Sequence, residues 1–211
     1  IGAYGVEVKE TIHKVTALEI ATQEIKNFSN EDCNFEYRNS IFKEELKNKF
    51  IITKVEFKLS KIPLNITSYG AIEEELKTLN REVNPKNIAD AVINIRNRKL
   101  PNPSEIGNSG SFFKNPIIST KSFEELQKEF PKIVGYKMTD TETKVAAGWL
   151  IENAGLKGYR KGDAGVHRNQ ALVLVNYNNS SGKDIINLSK LVQEVILEKY
   201  GISIETEVNF I

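Results

Sequence analysis

Arg98-Lys99-Leu100-Pro101-Asn102-Pro103 divides this sequence. Proline lacks an amide donor and restricts the residue before it, so a helix arriving at Lys99 has to stop there. Upstream, Asn87 is placed to cap a helix in which Ile88, Ala91, Val92 and Ile95 share one face. Earlier still, residues 6–59 read mainly as strands. Val55, Phe57 and Leu59 alternate with Lys54, Glu56 and Lys58, the period of a half-buried strand, and Val15 to Glu24 has hairpin character around Ala21-Thr22. The aromatic, charged segment Cys33 to Lys43 has no clean period and suits a loop or short helix carrying side chains into a site.

Downstream of the prolines, Gly107-Asn108-Ser109-Gly110-Ser111 reads as a glycine-rich turn before the apolar pair Phe112-Phe113. Ser122 and Glu125 have capping-box spacing for a helix from Phe123 to Phe130. A second helix is expected over 143–154, closed by Gly155. Ala171 to Tyr177 suits a buried strand, and Asp184 to Tyr200 a helix that Gly201 stops. Ile202, Ile204, Thr206, Val208 and Phe210 alternate again as in a strand. Strand runs followed by helices predict an α+β fold over a doubly wound sheet.

The 211 residues allow one large domain or two modest ones, with an ordinary hydrophobic share of 40%. Lys+Arg 29 against Asp+Glu 28 leaves a net charge of +1, which provides no broad basic field for nucleic acid. Cys33 is the only cysteine, so an internal disulfide is excluded and a reducing, cytoplasmic setting is expected. With His13 and His167 the only histidines, no metal cluster is expected. No apolar run approaches the roughly 20 residues of a membrane span. The opening Ile1-Gly2-Ala3-Tyr4-Gly5, with no initiator Met, reads as the interior of a folded domain, so an upstream segment is expected.

Several residues have chemistry to offer, each beside a plainer reading. The amides and hydroxyls of Gly107–Ser111, bracketed by Lys99 and Lys114, could hold phosphate, but the P-loop and Rossmann spacings are both missing, and a tight turn is the simpler account. Arg38 presents a planar fork suited to a carboxylate or phosphate, or is simply solvated. Glu207 lies on the polar face of the terminal alternation, where solvation is the default. His167 has no carboxylate or cysteine beside it, so backbone hydrogen bonding is expected to satisfy it.

In order along the chain, Ile1 to Glu7, Tyr37-Arg38-Asn39-Ser40-Ile41-Phe42, Gly107 through Pro116 (GNSGSFFKNP), Ala146 to Asn176 and Glu205-Thr206-Glu207-Val208 together resemble the UDP-N-acetylenolpyruvoylglucosamine reductases, bacterial flavoenzymes of peptidoglycan precursor synthesis. The resemblance covers nearly the whole chain. It implies the end of a flavin-binding domain (1–98), a smaller α+β substrate-binding domain (99–200) and a strand returning toward the flavin region (201–211). It implies FAD and NADPH as cofactors and a UDP-sugar as substrate, with no nucleic-acid or membrane partner. Ser111 matches the family's proton donor and Arg38 the cation that stabilises the charged intermediate. Glu207 matches a glutamate acting at the same substrate carboxylate, where it has to share a proton to avoid repulsion. Tyr69, Lys99, Asn115 and Gln170 match positions that hold the nucleotide diphosphate and sugar, and Tyr37 adjoins Arg38, where it is expected to pack near the flavin or substrate. Ser68-Tyr69-Gly70 resembles a loop that closes over substrate in one subclass. Ile1, Gly2, Ala3 and Gly5 match a segment lying against FAD. A nucleotide-sugar-binding piece without activity of its own, and a generic phosphate-binding α+β domain, are the rival readings.

Overall fold

The computed structural model describes residues 2–68 and 71–211. Ile1, Tyr69 and Gly70, and with them two of the expected ligand contacts, lie outside the described residues. Two compact units divide between Ile95 and Arg96.

The first unit opens with a hairpin, β1 (Gly2–Ala3) against β2 (Val6–Glu7). Its two-residue turn, Tyr4 (φ 53°) and Gly5 (φ 78°), uses the left-handed backbone that such tight hairpins require. Strands β3 (Ile12–Glu19), β4 (Ile25–Ser29) and β5 (Phe50–Phe57) form an antiparallel sheet with β3 in the middle. Val15 and Ala17 on that central strand are buried. The alternation in β5 is realised as pairing but not as burial, because Val55 and Phe57 remain exposed. Period-two alternation puts side chains on a common face; burial additionally needs a layer over it.

Helix α1 (Ile72–Thr78) packs on α2 (Pro85–Lys99) through Ile72, Leu76, Ala91 and Ile95. The cap of α2 sits three residues before the expected Asn87: Asn84 Oδ1 accepts the Asn87 amide at 2.8 Å. Pro85 explains the shift, since its fixed φ and missing amide suit the first helical position. The helix ends at Lys99, ahead of Pro101.

In the second unit, the segment expected as a turn is strand β6 (Gly107–Ser111). It is followed by β7 (Ile117–Ser119), α3 (Thr120–Glu129), β8 (Gly135–Lys137), β9 (Glu142–Val145), α4 (Ala147–Asn153), β10 (Arg160–Lys161), β11 (Ala164–Val166), β12 (Val173–Asn176) and α5 (Gly182–Tyr200). One sheet runs β10-β11-β12-β6 and another β7-β9-β8. Ser119, directly off β7, caps α3 through the Ser122 amide, displacing the expected Ser122–Glu125 box. The helix expected over 143–154 is shorter, because Glu142–Val145 pairs between β7 and β8. Helix α5 carries a full capping box, Ser181 with Asp184, and Gly201 (φ 66°) ends it. Its Leu188, Val192 and Ile196 pack into one core with Leu150, Val166 and Phe113. The terminal alternation forms no named strand; it makes one bridge, Phe113 with Thr206. No helix among the described residues is long and apolar enough to cross a membrane.

Candidate functional site

Ser111 is the last residue of β6 and pairs with Val173 of β12, beside a register shift between Val173 and Val175. Gly110 just before it has a φ of 72°, a backbone conformation that glycine adopts without strain, and its amide donates to Asn108 Oδ1 at 3.0 Å. Phe112 and Phe113 are buried immediately after it, pinning the strand end while Ser111 itself stays exposed.

The chain terminus closes onto this point. Lys114 N–H donates to the Glu205 carbonyl at 2.9 Å, and Glu207 N–H donates to the Phe112 carbonyl at 2.8 Å. Lys114 Nζ also pairs with Glu205 Oε2 at 2.9 Å. The burial of Ile202 and Ile204, with the Gln193 amide on the Ile204 carbonyl, anchors the segment upstream. Glu207 is therefore paired with Phe112, the residue that follows Ser111.

Asn115 and Gln170 meet a common element, the start of α4. Asn115 Oδ1 accepts the amide of buried Ala147 at 2.9 Å. Gln170 Oε1 accepts the Leu172 amide at 3.4 Å and lies 3.7 Å from where a Cβ on Gly148 would sit. With its oxygen committed to the helix, Asn115 has its NH₂ left to offer a ligand. Lys99 is exposed at the last residue of α2.

Arg38 and Tyr37 belong to the first unit. Cys33 is buried and its carbonyl accepts the Ile41 amide, closing the loop between them. Phe42 holds the loop's far end edge-on against Phe28 of β4 and Phe50 of β5. Within the loop, Glu36 and Asn39 bridge, leaving Tyr37 and Arg38 at the tip. Arg38 has a φ of 58°, its carbonyl accepts Lys43 Nζ, and its guanidinium lies 5.4 Å from the Tyr37 ring centroid. Gly2, Ala3 and Gly5 lie in the β1–β2 hairpin. A Cβ at Gly2 would stand 3.1 Å from Glu7 Cγ, so the Glu7 side chain packs over that glycine.

A cleft of about 1110 Å³ opens in the second unit, lined by Arg96, Arg98, Asn108, Gly110, His167 and Arg168 among others. Contrary to expectation, the backbone does not satisfy the His167 side chain: Nδ1 is buried with no hydrogen-bond partner. Burial, then the charge of Arg168, holds the imidazole below its usual pKa. Arg96 stands one helical turn before Lys99, and Arg168 directly follows His167.

Every strand pairing among the described residues is antiparallel, which separates this α+β fold from the parallel sheets of dinucleotide-binding domains. Residues 102–211 match the family model of the C-terminal domain of UDP-N-acetylenolpyruvoylglucosamine reductase. The chain belongs to that family. It is similar to UDP-N-acetylenolpyruvoylglucosamine reductases of Flavobacterium johnsoniae (56% identical, covering 100% of this chain and 63% of the relative) and Pseudomonas savastanoi pv. phaseolicola (46%, covering 99% and 62%). The chain thus spans less than two thirds of the length of these curated relatives. A crystal structure of UDP-N-acetylenolpyruvylglucosamine reductase from Thermus caldophilus shares the fold, with a TM-score of 0.60 at 23% identity, over 99% of this chain and 55% of that one.

Proposed function

We propose that this chain forms the substrate-side part of a cytoplasmic reductase that converts the enolpyruvyl ether of UDP-N-acetylglucosamine to UDP-N-acetylmuramate for cell-wall precursor synthesis. What supports the reading is the pairing of Phe112–Lys114 with Glu205–Glu207, in which Glu207 bonds to Phe112, the residue after Ser111. FAD, when bound, would take reducing equivalents from NADPH and deliver a hydride to the methylene carbon of the enolpyruvyl group. The residues proposed to lie near it are Gly2, Ala3 and Gly5, with Ile1 beside them.

The chain's own residues then have three tasks. Hydride addition to the methylene carbon pushes an electron pair toward the substrate carboxylate. Arg38 is proposed to hold that charge with its fixed guanidinium fork, and Glu207 to share a proton with the same carboxylate. Ser111 would give its hydroxyl proton to the neighbouring carbon, collapsing the electron pair into a C–H bond. Lys99, Asn115, Gln170, Tyr37 and Tyr69 would orient the UDP-sugar. The donor role of Asn115 agrees with its oxygen being engaged at Ala147.

The test compares Ser111→Ala with the unsubstituted protein after flavin loading. Substrate reduction should slow by about 10²–10⁴-fold while UDP-sugar affinity stays within about twofold, the weight of a positioned proton donor. Undiminished turnover removes Ser111 from the mechanism. A second reading is a nucleotide-sugar-binding piece, which the polar pair Asn115 and Gln170 at the start of α4 would serve equally. A colourless protein that binds the UDP-sugar in calorimetry but oxidises no NADPH supports that reading, and flavin absorbance in the purified protein counts against it.

A further inference from the structure

Residues 201–211 follow α5 without forming a named strand, and they make one bridge, Phe113 with Thr206. Upstream, Ile202 and Ile204 are buried and the Gln193 side-chain amide donates to the Ile204 carbonyl, which fixes where the segment leaves the core. At the far end Phe210 and Ile211 are exposed. The bridge lies between two backbone bonds, Lys114 N–H to the Glu205 carbonyl and Glu207 N–H to the Phe112 carbonyl. Side chains alternate along extended backbone, so Glu205 and Glu207 leave the segment on the same side. Glu205 then stands opposite Lys114, and Glu207 opposite Phe112.

This spacing makes a second register conceivable. A slip of two residues preserves the alternation and sets Glu207 opposite Lys114, whose ammonium would hold its carboxyl ionised. In the observed register Glu205 takes that place: Lys114 Nζ lies 2.9 Å from Glu205 Oε2, although the two residues are 91 apart in sequence. We propose that Lys114 and Glu205 are a positioning pair for Glu207, fixing the register in which Glu207 stands opposite Phe112, one residue from Ser111. The inference rests on the reading of Glu207 as the group that shares a proton with the substrate carboxylate. A Lys114 ammonium on Glu207 would oppose that sharing, and Glu205 keeps the ammonium occupied. Two glutamates of one short segment thus have different tasks. The Glu205 side chain is 75% exposed, so the pair acts at the few-fold scale of a surface ion pair.

The test uses the full 211-residue chain and needs no flavin. Hydrogen exchange at the Glu207 amide reads the pairing, because that N–H is bonded to Phe112. Calorimetry reads the positioning, as the ratio of affinities for UDP-N-acetylmuramate, which carries the carboxylate, and UDP-N-acetylglucosamine, which lacks it. In Lys114→Met, exchange should quicken about two- to fivefold and the ratio should fall by about as much. The affinity for UDP-N-acetylglucosamine should hold, which a general loosening of the fold would not allow. Exchanging the charges, Lys114→Glu with Glu205→Lys, should return both readouts to the parent values. Thermal unfolding checks that the variants are folded; if the exchanged protein is not, Lys114→Met decides alone. Parent-like exchange in Lys114→Met, a folded charge exchange that restores neither readout, or both ligands weakening together overturns the proposal. Glu207→Ala separates it from the reading beneath it. If that variant keeps the parent ratio, the role of Glu207 fails and the proposal with it. If it lowers the ratio while Lys114→Met does not, the positioning role alone fails.

Discussion

Replacing Asn115 by alanine separates two roles that share one side chain. Helix α4 has only seven residues, and its own N-cap, Ala146, has no side-chain acceptor to offer the first turn. Asn115, 32 residues upstream, supplies that acceptor to the Ala147 amide at 2.9 Å. Ala147 is 0% exposed, so water cannot take over the bond once the oxygen is gone. An orphaned buried donor costs about 1–3 kcal/mol and a lost N-cap about 0.5–2 kcal/mol, so about 2 kcal/mol is expected. At roughly 2–4 °C per kcal/mol for a chain of this size, Asn115→Ala should lower Tm by about 4–8 °C. Asn115→Asp keeps an acceptor oxygen and should stay within about 2 °C of the parent, since the Asp carboxylate caps a helix as well as Asn does. It replaces with a charge the NH₂ proposed to meet the ligand, so on that proposal UDP-sugar affinity should fall in calorimetry even though stability holds. Circular-dichroism melts of the three proteins decide the structural half. If Asn115→Ala melts within about 1 °C of the parent, the Ala147 amide has found another partner and the reasoning fails.

Two further outcomes follow from particular contacts. A Cβ at Gly165 would stand 2.6 Å from Tyr177 Cε2 and 3.0 Å from the Tyr159 carbonyl oxygen, so Gly165→Ala should destabilise by about 1–3 kcal/mol in denaturant unfolding; an unchanged midpoint would show that the β11 backbone yields freely. His167 titrates below its usual value when folded, so between that value and about 6.5 the unfolded chain binds the extra proton and stability must fall as pH drops. The carboxyls of Asp32 and Asp184, held low by Ser29 and Ser181, lose their contributions only in more acid solution, below about 4. Unfolding midpoints from pH 7 to 5 should therefore decline in the parent and flatten in His167→Gln; identical slopes refute the assignment.

Much of the fold was legible where a signal is local. Helix α5 was legible through its apolar face and the stop at Gly201, whereas its start at Gly182, set by the Ser181–Asp184 capping box, lies two residues before the expected Asp184. The stop at Lys99 follows from Pro101, and the strand at Val173–Asn176 from an unbroken apolar run. The caps of α2 and α3 were misplaced by three residues each, because several Ser and Asn residues in a row could serve and only the emerging chain direction chooses among them. The proposed ligand residues rest on resemblance alone: nothing local distinguishes Asn115 or Gln170 from ordinary polar side chains.

By itself the sequence determined the α+β class, the break after Lys99 and the family, since periodicity, proline and a long specific motif are properties of the chain read in order. The tertiary structure alone decided that Gly107–Ser111 is a strand, that the terminus folds back onto Phe112–Lys114, and that the α4 start receives Asn115 and Gln170 together. The physical reason is the partner. A glycine-rich segment has too little intrinsic preference to choose between turn and strand, and Val173–Asn176, supplied from far along the chain, fixes the choice by taking up its backbone hydrogen bonds.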